Sequence, residues 1–120
     1  MSDGVTFINV FEIPADRVDE FVGHWRERAE LLRDAAGFRD VRLHRALLPD
    51  SRFQLVNVAH WDSEEDWLAA TRNHGKFRSS VAEAAQIATP NPALYEVVVE
   101  IPGRAETAPG ARQAGRPAPA

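Results

Sequence analysis

Apolar residues along this chain alternate between strand-like and helix-like spacing. From Val5 to Ile13, β-branched and aromatic residues fill both alternating sets: Val5, Phe7, Asn9, Phe11 and Ile13 on one side, Thr6, Ile8, Val10 and Glu12 on the other. Such a run suits a strand covered on each face. Pro14 breaks it, and Asp16 is placed to cap a helix. From Asp16 to about Ala36, Val18, Phe21, Val22, Trp25, Ala29 and Leu32 fall at the i, i+3, i+4, i+7 spacing of an amphipathic helix. Gly37 stands where a helix commonly ends in a left-handed residue.

Phe38 to Leu48 and Arg52 to Trp61 predict two strands joined through Pro49-Asp50-Ser51, whose residues fit a type I turn. The first strand of that hairpin mixes Arg39, Arg42, His44 and Arg45 with apolar residues, as an exposed or edge strand would. Asp62 to Asp66 reads as a helix start, with Asp62 or Ser63 as cap and negative charge at the N-terminus. The helix continues through Trp67, Leu68 and Ala70 to about Asn73. After a break at Asn73-His74-Gly75 a second piece runs from about Phe77 to Ala88, and Pro90 and Pro92 stop it. Ala93 to Ile101 predicts a last strand.

The order β-α-β-β-α-β in about a hundred residues predicts an α+β, ferredoxin-like fold: a four-stranded antiparallel sheet with helices on one face. The second sheet face then has no cover within the chain, although it carries either Phe7, Asn9 and Phe11 or Ile8 and Val10. A homodimer with its two sheets facing each other is the economical solution.

Composition narrows the classes. The 120 residues fit one domain, assigned to 1–101. Pro102 to Ala120 holds four prolines, three glycines and no apolar residue but alanine, which predicts a disordered tail. A net charge of −4 and a pI near 5.5 argue against nucleic-acid binding. With no cysteine, there is no disulfide framework, thiolate metal site or cysteine nucleophile. No apolar run reaches a membrane span and MSDGVTF is not an export leader, so a cytoplasmic location is expected. The sequence has no His-x-x-x-His, Glu-x-x-His, phosphate loop, flavin or nicotinamide fingerprint. The chemistry is expected to be cofactor-free, or the cofactor is itself the substrate.

Asn57 and Trp61 share one face of their strand with Phe53, Leu55 and Ala59. An amide on an apolar face either binds a substrate oxygen or is satisfied by backbone or buried water. Asn9, between Phe7 and Phe11, poses the same choice. Trp61 and Trp67 are candidates to pack a flat ring system, whereas Trp25 falls on the apolar stripe of its helix and reads as core. Of His24, His44, His60 and His74, the last lies in the helix break and best suits a pocket mouth; each also fits a structural or solvated role.

FINVFEIPADRVDEFVGHW, Gly37-Phe38, FQLVNVAHWDSEEDWLAA and NHGKF resemble the antibiotic-biosynthesis monooxygenase (ABM) superfamily of dimeric α+β barrels, over about Thr6 to Ile101. The resemblance implies a homodimer and, in one branch, cofactor-independent oxidation of aromatic polyketides by O2. That branch implies roles for Asn57, Trp61 and Trp67; its arginine position falls at Val81, and Arg78, one turn earlier, is the candidate substitute. Haem-degrading relatives imply roles for Asn9 and Trp67, with their iron-ligating histidine again at about Val81 and His74 seven residues before it. Relatives of unknown activity leave a non-oxygenase ligand binder or cyclase-type protein as a third reading.

Overall fold

In the computed structural model, which describes residues 4–72 and 74–104, strand β1 (Val5–Phe11) runs through the interior of a four-stranded antiparallel sheet. The other strands are β2 (Phe38–Arg45), β3 (Leu55–Trp61) and β4 (Pro92–Tyr95), in the order β2-β3-β1-β4. Helices α1 (Val18–Glu30), α2 (Glu64–Arg72) and α3 (Gly75–Ala84) complete it. This is the expected ferredoxin-like α+β arrangement, with β2 at an edge as its mixed patterning suggests.

Register decides which side chains meet. Phe11 faces Leu55, Asn9 faces Asn57, Phe7 faces Ala59 and Val5 faces Trp61 across β1 and β3. Because alternate residues share a face, this row points to the helices. Phe11 and Leu55 join Ile13, Val18, Phe21, Ala84 and Ala88 in one buried cluster, while Ala59 and Trp61 join Leu32 in another. Removing a large apolar side chain such as Phe21 from water contributes roughly 1.5–3 kcal/mol. The Asn9–Asn57 pair lies between the two clusters along the strands.

Several boundaries depart from expectation. Asp16 does not cap: Pro14 feeds a short 3-10 turn at Ala15–Arg17, closed by Arg17 N–H donating to the Pro14 carbonyl at 2.9 Å. The α-helix ends at Glu30 rather than near Ala36, and residues 31–35 continue in i→i+3 turns to Gly37, whose φ is +85°. Strand β2 ends at Arg45, where one further bond from Ala46 N–H to the Gln54 carbonyl at 2.8 Å closes the pairing, and Leu47 is 97% exposed. The turn itself is as expected, with Ser51 N–H donating to Leu48 O at 3.2 Å, and the buried Gln54 amide donates to the Ser51 carbonyl at 2.7 Å.

Ser63, one of the two candidate caps, accepts from the Asp66 amide at 3.1 Å and starts α2. The second piece is helical from Gly75 rather than Phe77 and ends at Ala84, with turns to Ala88. The last strand stops at Tyr95, not Ile101. Tyr95, paired with Thr6 near the start of β1, is the last paired position of β4. Val97, Val98, Val99 and Ile101 are exposed. Of the Pro102–Ala120 segment, residues 105–120 lie outside the described residues.

Candidate active site

Between the helices and the inner sheet face lies a cavity of about 300 Å³. Phe7, Phe11, Trp25, Phe38, Trp61, Trp67 and Phe77 line it, with alanines, Val41 and Val81 filling the gaps. Trp67 stacks on Phe7 with ring centroids 5.4 Å apart, and Trp61 meets Phe38 edge to face at 5.2 Å. These contacts fix the ring planes before any ligand arrives.

Both asparagines reach the cavity, but their hydrogen bonding differs. Asn9 Oδ1 accepts from the Asn91 backbone amide at 2.9 Å, so its carbonyl is used in joining β1 to the segment before β4. Asn57 is only 9% exposed, and its Oδ1 has no hydrogen-bond partner among the described residues. A buried acceptor left unmade costs about 1–3 kcal/mol. Asn57 Oδ1 is thus a buried amide oxygen whose bond is not made by any described residue.

Arg28 is the cavity residue that sequence reasoning missed. It is 7% exposed, yet its guanidinium makes no ion pair among the described residues. Nη1 donates to Ser80 Oγ at 3.2 Å and to the Ser80 carbonyl at 3.4 Å, and the guanidinium carbon lies 5.7 Å from the Phe21 ring centre. Burial lowers its pKa from the ordinary arginine value. Its partner Ser80 immediately precedes Val81, where the family resemblance looks for an arginine. A signal was present: positions 21, 25, 28 and 32 follow helical spacing, so an arginine interrupts the apolar stripe of α1.

Two expected site residues lie elsewhere. His74 does not line the cavity; its Nδ1 accepts from the Phe77 amide at 3.3 Å and caps α3. Arg78 points outward, exposed, and donates to the Arg72 carbonyl at 3.4 Å. Its place on the outer side of α3 agrees with the inward position of Phe77 and Val81, which line the cavity. Trp25, expected as core, lines this cavity and also an open cleft of about 660 Å³ between α1 and β2.

Haem does not fit these residues. Its iron needs an axial donor, and the described lining contains no His, Cys, Met or Tyr. His44 and His60 bond to Val56 O and Asp40 on the other sheet face. No group of three or more His, Cys, Asp or Glu is arranged for a metal ion among the described residues.

A ferredoxin-like sheet closing an aromatic cavity against its helices defines a class of small α+β proteins. Residues 4–86 match the family model for antibiotic biosynthesis monooxygenases, and the chain belongs to that family. A protein from Shewanella loihica PV-4 classed as a monooxygenase is similar at 33% identity and TM-score 0.70, over 83% of this chain and 99% of its own. SnoaB, a cofactor-independent oxygenase from Streptomyces nogalater, shares the fold at 24% identity and TM-score 0.70, over 85% and 100%. A heme-degrading protein from Mycobacterium tuberculosis is similar at 25% identity and TM-score 0.61, over 82% and 96%. A sequence search of curated proteins returns no significant match.

Proposed function

We propose that this protein is a cofactor-independent monooxygenase acting on a flat aromatic, polyketide-like small molecule. The observation that carries this reading is the cavity: aromatic walls around two amides, with no side chain among the described lining residues suited to bind iron or another metal. SnoaB's cofactor-independent oxygenase activity on the same fold supports it. Trp61 and Trp67 pack the rings, Phe7 and Phe11 floor the cavity, Asn57 binds a ligand oxygen, and Asn9 has its NH2 to donate.

The chemistry then resides in the substrate. An anthrone-type ring loses a proton from its CH2 to give a stabilised carbanion, which passes electrons to O2 and forms a C–O bond. The peroxide gains a proton and loses water, leaving C=O. One oxygen atom enters the product and the other leaves as water, so no external reductant is needed.

The protein acts as a homodimer in the cytoplasm in this reading. Ile8, Val10, Val56 and Val58 form an apolar patch on the sheet face that the helices leave open. Val97, Val98, Val99 and Ile101 offer further exposed apolar surface.

Oxygen uptake with anthrone in the presence of a chelator tests the function. The expected result is uptake above the buffer rate, reduced in an Asn57→Ala, Trp61→Phe double variant. Binding of anthrone with no excess uptake would favour a ligand binder or cyclase-type protein. A Soret shift and bilin-like product with haemin would favour the haem-degrading alternative.

A further inference from the structure

We propose that Arg28 is the counter-cation for an ionised oxygen of the ligand, so that the cavity takes its aromatic ligand as a phenolate or enolate. This rests on the cavity being the aromatic-ligand site described above.

Helix geometry forces the guanidinium inward. Arg28 lies three residues after Trp25 and seven after Phe21, both on the inner side of α1. Both of its hydrogen bonds leave from Nη1, so neither Nε nor Nη2 donates to any described residue. A guanidinium presents five N–H donors in a planar fork, which matches an oxyanion. A buried charge is costly without a partner, and the described lining supplies none.

The surrounding charges do not take that part. On α1, His24, Arg26, Glu27 and Glu30 are exposed; on α3, Lys76, Arg78 and Glu83 are exposed. None of them lines the cavity. The strands opposite present Phe7, Asn9, Phe11, Asn57 and Ala59, all neutral. Arg28 is therefore the one charged side chain among the described lining residues, and no carboxylate or imidazole there can act as a base. A cavity with a cation and no base favours ionisation by stabilising the anion, with the proton leaving to solvent.

Asn57 lines the same cavity; its Oδ1 is inaccessible, so its NH2 is the group left to meet a ligand oxygen, again as a donor. A carboxylic acid is already ionised at neutral pH and needs no such help; a phenol does.

The test uses 2-hydroxyanthraquinone, whose absorbance reports its ionisation, and 2-methoxyanthraquinone as a probe that cannot ionise. Bound to the wild-type protein, the hydroxyl is expected to ionise at least one pH unit below the free compound, which is a tenfold preference for the anion. Arg28→Lys should retain part of the shift and Arg28→Met should abolish it, with 2-methoxyanthraquinone still bound by both as the check that the cavity is intact. An unshifted or raised midpoint in the wild type would overturn the proposal, and that measurement stands even if a variant fails to fold. The same lowering in folded Arg28→Met would also overturn it. Either result leaves the aromatic-ligand reading intact, whereas failure of both probes to bind the wild type would remove that reading and this inference together.

Discussion

Asn57 and Arg28 are both buried polar groups whose bonding capacity is not met by the described chain, and each carries a stability signature. Since Asn57 Oδ1 already lacks a partner, Asn57→Ala should change folding stability by no more than about 1 kcal/mol in urea titration. The same variant should lower oxygen uptake with anthrone by roughly 10²-fold, the usual cost of losing a positioned polar group. Arg28→Met should raise the melting temperature, since apolar replacement of a buried charge is often stabilising by about 1–4 kcal/mol. A lower melting temperature would show that the Ser80 bonds outweigh desolvation. At this scale the sequence was partly readable. The strand alternation placed Asn57 with Trp61, and Asn9 with Phe7, because period two leaves no other choice. His74 misled because a histidine after a helix break can serve as an N-cap as readily as a pocket residue. Arg28 was missed because arginine is ordinarily assigned to the polar face.

Element boundaries in the fold differ from those that residue preference alone would set. Strand β4 ends at Tyr95, paired with Thr6, although Val97, Val98 and Val99 favour a strand. The apolar stripe of α1 extends to Leu32, beyond the α-helix itself, because tighter turns keep the same residues inward. Those turns deliver the chain to Gly37, which must adopt φ +85°. A Cβ there would also lie 2.3 Å from Asp66 Oδ2 at the start of α2. Gly37→Ala should therefore destabilise the protein by about 1–3 kcal/mol in urea titration. An unchanged midpoint would show that Asp66 and the backbone relax freely. Gly37 was legible from position alone; its contact with Asp66 required the fold.

The whole molecule is a one-sided structure: three helices cover one sheet face and leave Ile8, Val10, Val56 and Val58 on the other. Its β-α-β-β-α-β order was legible because each element carries its own period and its own stop residue. The full lining of the cavity was not, since it depends on how α1 and α3 pack across Asn9 and Asn57. The homodimer reading predicts a dimer in sedimentation velocity and a monomer on Ile8→Lys, Val58→Lys double substitution, with helix content retained; an unchanged dimer would place the interface elsewhere. The central claim is that this cavity oxidises the CH2 of an anthrone-type ring with O2 and nothing else. Reaction of anthrone with 18O2 in a chelator, with mass analysis of the quinone, tests it most directly. One labelled oxygen per quinone, formed faster than in buffer and slowed by Asn57→Ala, is the predicted result. Quinone formation no faster than in buffer, or a new oxygen derived from water, would contradict it.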